Sequence, residues 1–190
     1  PTPGGGSASA LSAALGVSLS AMVANLSVAK KDLMINYENF IKVSENCQNF
    51  KDIFLELIDK DSKAYDDVIN AIRLPKKLDQ DKVLRKKAIV EATVNAAEIP
   101  LQILEKSIPA LEQTLKIAEN GNPNSITDAG VGASLIRTAA YGASLNVLIN
   151  AKDLDVKKTN YFNEKVDYYL KQIEDLFLRI DKIVNKILND

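Results

Sequence analysis

The chain offers few residue types for acid–base chemistry. Histidine is absent, and Cys47 is the only cysteine in 190 residues. Ser-His and Cys-His nucleophilic sites are therefore excluded, as is every His-ligated metal centre. Work near neutral pH falls to carboxylates, lysines, tyrosines or bound water. Two aspartates draw attention. Asp61 keeps step with Phe54, Leu57, Tyr65 and Val68, an apolar stripe at three- and four-residue spacing, apart from the lysines that face water. A carboxylate there either finds a partner or shifts its pKa upward, as site carboxylates do; otherwise it sits at the stripe's edge and reaches solvent or a helix end. Asp128 stands three residues after Ser125, a spacing that caps a helix start. Beyond it Gly132, Ala139, Gly142 or Ala143, Asn146 and Asn150 share one side of the same predicted helix. That side is a narrow groove ending in two amides, which either pair with a heterocycle's donors and acceptors or tie two helices together.

The opening PTPGGGSASA raises a different chemistry. Three adjacent glycines, Gly4, Gly5 and Gly6, run into a small-residue segment, with Ser7 placed to cap a helix. A phosphate loop needs a Lys-Ser/Thr pair after its last glycine and a strand before the first, and neither fits. The Gly-x-Gly-x-x-Gly dinucleotide fingerprint is missing too. What is left is a helix N-terminus with free backbone N–H groups and partial positive charge. It serves either a ligand or a tight cap that lets two helices cross.

Periodicity supplies the elements that position these residues. An uncharged stretch from Ser7 to Ala29 is long enough to span a bilayer, yet it is mostly alanine and serine. A buried, closely packed helix suits it better than a membrane span. An irregular helical face runs from Leu33 to Cys47, a break is expected at Asn46–Asn49, and a second helix starts near Phe50 and stops before Pro75. A long helix then runs from about Gln80 to Glu119, bent or interrupted at Pro100 and Pro109. NGNPN, from Asn120, is a turn, and another small-residue helix covers about Ser125–Ala151. The last helix has the clearest stripe, Phe162, Val166, Tyr169, Ile173, Leu176, Ile180, Ile183 and Ile187. No strand pattern competes. The expectation is one all-α domain over residues 1–190, a bundle of about five to six mostly antiparallel long helices. Its 24 basic and 25 acidic residues nearly cancel, which argues against nucleic acid and against a polybasic membrane contact. A lone cysteine and no basic leader ahead of an apolar run point to a reducing, cytoplasmic home.

Three blocks also carry a resemblance. PTPGGGSASALSAALG, DKDSKAYDDVINAIRLPK from Asp59 and NPNSITDAGVGASLIRTAAYGASLNVLIN from Asn122 resemble the motif blocks of the cyclodeaminase/cyclohydrolase family of folate enzymes. The likeness spans nearly the whole chain, including ATVNAAEIPLQIL from Ala92. It implies an all-α homodimer with sites near the subunit interface, and one-carbon chemistry on a tetrahydrofolate derivative with no metal and no further cofactor. Carried over by residue, the family's glycine loop falls on Gly4, Gly5, Gly6 and Ser7, its helix-borne aspartate on Asp61 and its second aspartate on Asp128, which makes Asp61 the expected base or charge stabiliser and Asp128 the second acid–base group or pterin anchor. Asn146 and Asn150 join them as substrate-binding candidates. Arg73, Lys76, Lys77 or Arg137 would meet the glutamate tail. Members usually carry an amphipathic helix ahead of the glycine block, which stands here at Pro1. With no formimino-transferring domain in this chain, the expected reaction is hydrolysis of 5,10-methenyltetrahydrofolate to 10-formyltetrahydrofolate. Formiminotetrahydrofolate cyclodeamination is the alternative, and a non-catalytic helical interaction bundle the second.

Overall fold

The computed structural model describes residues 4–189, so Pro1, Thr2 and Pro3 of the glycine block and Asp190 lie outside it. Five long helices make up the bundle: α1 (Gly5–Val28), α2 (Tyr37–Arg73), α3 (Asp79–Asn120), α4 (Ile126–Ala151) and α5 (Val156–Asn189). Short 3-10 segments at Lys31–Asn36 and Pro123–Ser125 join α1 to α2 and α3 to α4. No strand occurs among the described residues. α1 packs against α2, α4 and, less extensively, α3, while α5 lies on α3 and α4.

α1 is the central helix, and its composition explains why. By length and hydropathy it would suffice to cross a membrane, yet Ala10, Ala13, Ala14, Val17, Ala21 and Ala24 are sealed inside the protein. Its serines are satisfied rather than stranded: Ser12 donates to Leu135 O of α4, and Ser20 shares a 2.8 Å hydrogen bond with Thr114 of α3. Small side chains let α1 and α4 approach to backbone contact. A Cβ on Gly16 would stand 2.7 Å from both Gly132 O and Ile136 Cγ1. The bulk that fills the rest of the core comes from the other helices, in Phe54, Leu57, Ile103, Leu111, Phe162, Ile173 and Ile180.

Two expectations about α2 need correction. The break at Asn46–Asn49 does not exist, because α2 runs unbroken from Tyr37 to Arg73. Its polar residues there are the helix's outer face, while Val43, Cys47 and Phe54 continue the inner one. The segment before Tyr37 is 3-10 rather than the start of that helix. α3 also continues through both prolines. Proline has no N–H, so Pro100 leaves the Ala96 carbonyl without its helical partner, a vacancy that matters below.

Buried Cys47 has its thiol pushed up to about 12 by desolvation, against a smaller opposing pull from Lys116. It should resist alkylation in native protein at pH 8 and react fully once unfolded, as mass spectrometry of iodoacetamide-treated samples would show. Gly16→Ala should lower the denaturant midpoint by the equivalent of ~1–3 kcal/mol, the usual cost of overpacking, because backbone on α4 blocks the added methyl.

Candidate active site

The site forms where α1 begins. Gly4 precedes the helix in extended conformation and offers no side-chain cap. The first N–H groups of any helix lack intrahelical partners, and here the Ser7 N–H donates to Asp61 Oδ2 at 2.8 Å. The Ser7 hydroxyl donates to the same oxygen at 2.8 Å and lies 3.3 Å from Ser62 Oγ. Ser7 is therefore not the cap expected for its own helix. It sits buried inside the first turn and grips a carboxylate on α2. Negative charge at a helix N-terminus is favoured by the helix dipole as well.

Gly6 makes this contact possible. A Cβ there would fall 2.1 Å from Asp61 Oδ1 and 2.6 Å from its carboxyl carbon. Gly6 is thus a landing surface for a carboxylate, and Gly5 makes room for Asn146 of α4. Asp61 is half-buried. Its Oδ2 takes both Ser7 donors, and its Oδ1 accepts no hydrogen bond from any described residue.

α4 closes the other side. It runs antiparallel to α1, so its C-terminal half reaches the glycines, and a Cβ on Gly5 would meet Asn146 Nδ2 at 2.9 Å. Asn146 donates from Nδ2 to Gly142 O at 2.8 Å. Asn150 donates from Nδ2 to Ala96 O at 2.7 Å, taking up the carbonyl that Pro100 freed. A carbonyl oxygen only accepts, so both amide orientations are fixed. Each Oδ1 then lacks a donor among the described residues. Together Gly4, Gly5, Ser7, Asp61, Asn146 and Asn150 line a cleft of about 370 Å³, completed by Ser62, Tyr65, Val68 and Ala96. Ser62, Tyr65 and Val68 follow Asp61 on α2 at helical spacing, and Ala96 comes in beside Asn150; apart from Tyr65 and Val68 on the Asp61 stripe, no sequence signal marked these residues for the cleft.

Asp128 is not in this group. It lies in the first turn of α4, at the opposite end from Asn146, roughly 27 Å along the axis at ~1.5 Å per residue. The expected Ser125 cap is also not made, since its side chain bonds no N–H of α4. Of the cations considered for a tail, Arg137 is committed to Glu174, with Nε to Oε2 at 2.6 Å, and stacks over Phe177. Arg73 sits in the last turn of α2, and Lys76 and Lys77 lie in the connection to α3. The cleft chemistry is a single carboxylate with one oxygen that no described residue donates to, two amide carbonyls likewise without a described donor, and an aromatic rim. It suits a flat heterocycle that carries hydrogen-bond donors and positive charge.

The comparisons agree with that chemistry. The formiminotransferase-cyclodeaminase family profile matches residues 1–168. The methenyltetrahydrofolate cyclohydrolase of Methylorubrum extorquens is 37% identical over 155 residues, covering 82% of this chain and 74% of its own. The Gallus gallus formimidoyltransferase-cyclodeaminase is 32% identical over 82% of this chain, which spans only 29% of that longer protein. The crystal structure of formiminotetrahydrofolate cyclodeaminase from Thermotoga maritima superimposes with a TM-score of 0.87 at 25% identity, over 99% of this chain and 90% of that one. Blocks, helices and cleft point the same way: this chain belongs to the formiminotransferase-cyclodeaminase family.

Proposed function

We propose that this chain hydrolyses 5,10-methenyltetrahydrofolate to 10-formyltetrahydrofolate, with cyclodeamination of formiminotetrahydrofolate as the alternative. The observation that carries this reading is the Asp61 carboxylate, held through one oxygen and with no donor to the other among the described residues, at the wall of a cleft that no described cation lines. The substrate is a cationic amidinium whose bridging carbon is already electrophilic, so the reaction needs an activated water rather than a metal. Asp61 takes a proton from that water as it adds to the carbon. Collapse of the hydroxylated carbon breaks its bond to N5, which receives the proton back, and the hydroxyl proton leaves as the formyl group forms. One proton is released per turnover. The carboxylate also attracts the cation directly in a site with little water.

In this proposal Asn146 and Asn150 accept hydrogen bonds from the pterin's donors, and Gly4 and Gly5 bring α1 backbone against the ring. The glutamate tail extends toward Arg73, Lys76 and Lys77, since Arg137 is engaged elsewhere. Asp128 is too far along α4 to act on the same molecule within one chain. The working unit is a homodimer in the cytoplasm, needing neither nucleic acid nor membrane. Cyclodeamination would use the same groups, with N10 attacking the formimino carbon and ammonia departing.

Mixing the protein with methenyltetrahydrofolate should remove its near-ultraviolet absorbance faster than formiminotetrahydrofolate yields ammonia. The reverse order selects the alternative, and no turnover of either rejects the proposal. Asp61→Asn should lower kcat by ~10²–10⁴-fold, the usual worth of an acid–base group; wild-type kcat in that variant would remove Asp61 from its role. Gly6→Ala should produce a comparable loss by driving the carboxyl off Ser7, while the melting temperature falls by only a few degrees.

A further inference from the structure

The cleft wall built by α2 holds an aromatic ring that its own chain leaves unused. Tyr65 comes four residues after Asp61 and three before Val68, so carboxylate, ring and valine share one face of the helix. All three line the cleft. The ring stands about 6 Å along the axis from the carboxylate. Tyr65 is 54% exposed and adds little to the core. Among the described residues no other ring stacks on it, and no lysine or arginine lies over its face. The rings that do meet a cation of this chain are all on α5. Arg137 lies 4.7 Å from the centre of Phe177, and Lys165 lies 5.9 Å and 5.8 Å from Tyr161 and Tyr169. The α4 wall is of another kind, since Asn146 and Asn150 keep amide oxygens that no described residue donates to. Amides sense donors at the edge of a flat ligand. An aromatic face carries negative potential and senses positive charge.

We propose that Tyr65 is the specificity residue by which the cleft tells a positively charged one-carbon unit from an uncharged one. Its ring face meets the cation, with Asp61 one helical turn away. The proposal rests on the folate reading and sharpens it into a preference for the cationic form. The methenyl bridge spreads one positive charge over N5, the bridging carbon and N10, and the formyl product carries none there. Pterin edge and glutamate tail are common to both, so contacts from the amides and from any lysine hold substrate and product alike. Only Asp61 and Tyr65 change their interaction when the charge is lost. Hydrolysis therefore ends the ring's hold as the product forms, and the cleft that drew in the cation releases the neutral molecule. An aliphatic side chain at position 65 would cover much the same area and hold both.

Two ligands that differ in charge test this. Tyr65→Leu should raise KM for methenyltetrahydrofolate about 5–30-fold, the worth of a cation over an aromatic face, and move the inhibition constant of uncharged 5-formyltetrahydrofolate by less than about 2-fold. Tyr65→Phe keeps the ring without its hydroxyl and should keep the wild-type ratio of the two constants. Equal losses for both ligands in Tyr65→Leu would reduce the ring to an apolar contact. An unchanged KM would remove it from the site, and a Tyr65→Phe that behaves like Tyr65→Leu would give the role to the hydroxyl. Each of these overturns the proposal. A second pair of probes needs no folate. Benzamidinium and benzamide are both flat and differ chiefly in charge. Followed by the backbone amide shifts of Ser7 and Asp61, benzamidinium should bind the wild type more tightly than benzamide does. It should bind Tyr65→Leu several-fold more weakly, with little change for benzamide. A protein that behaves so but turns over neither folate keeps the role of Tyr65 and rejects the folate reading alone. If Tyr65→Leu leaves benzamidinium's lead intact, or the wild type shows none, the role is overturned whatever the folates do.

Discussion

The contact between Ser7 and Asp61 is the constraint around which the rest of the molecule is arranged. One oxygen of a carboxylate is held by an N–H and an O–H from the first turn of a helix that lies 54 residues upstream. Both donors belong to one residue, so the carboxylate is fixed in position and direction. Its second oxygen meets no donor among the described residues and has room to lie over Gly6 because that residue has no Cβ. Hydrogen bonds to a charged group are worth more than neutral ones, and this pair also pins α1 to α2 at the end where α1 is otherwise uncapped.

Such a contact demands that α1 be embedded, which explains its unusual composition. A helix surrounded by three others has no room for large side chains on every face. Alanine, serine and glycine trade hydrophobic area for close approach, and the lost area is recovered from the phenylalanines, leucines and isoleucines of α2, α3, α4 and α5. The gain is positional. With α4 at backbone distance from α1, Asn146 reaches Gly5, and one helical turn further Asn150 finds the carbonyl left open by Pro100. A proline in a neighbouring helix thus sets the direction of an amide in the cleft.

The cleft that results has one carboxylate and a neutral polar wall. A cation whose carbon is already electrophilic needs little more than a positioned base and one water within that base's reach. Hydrolysis of a methenyl bridge and expulsion of ammonia from a formimino group both pass through tetrahedral carbon, with the same proton traffic. A scaffold of this kind serves either reaction, in keeping with relatives that bear both names.

Much of this was readable from residues in order. The stripe from Phe162 to Ile187 fixed α5, NGNPN fixed the turn before α4, and the missing lysine after Gly6 ruled out phosphate, because each depends only on near neighbours in sequence. Asp61's place on an apolar stripe was equally local, and so was the small-residue side of α4. The false break at Asn46–Asn49 arose from a polar outer face, which looks like a loop until the inner face of Val43, Cys47 and Phe54 is seen to continue. Ser7 and Ser125 read as side-chain caps for their own helices, and neither side chain makes that bond. That Ser7 turns to Asp61, that Asn150 answers Pro100, and that Asp128 stands at the far end from Asn146 were decided by which helix ends pack together. Periodicity fixes the inward face of a helix, but only packing between distant segments fixes what that face meets.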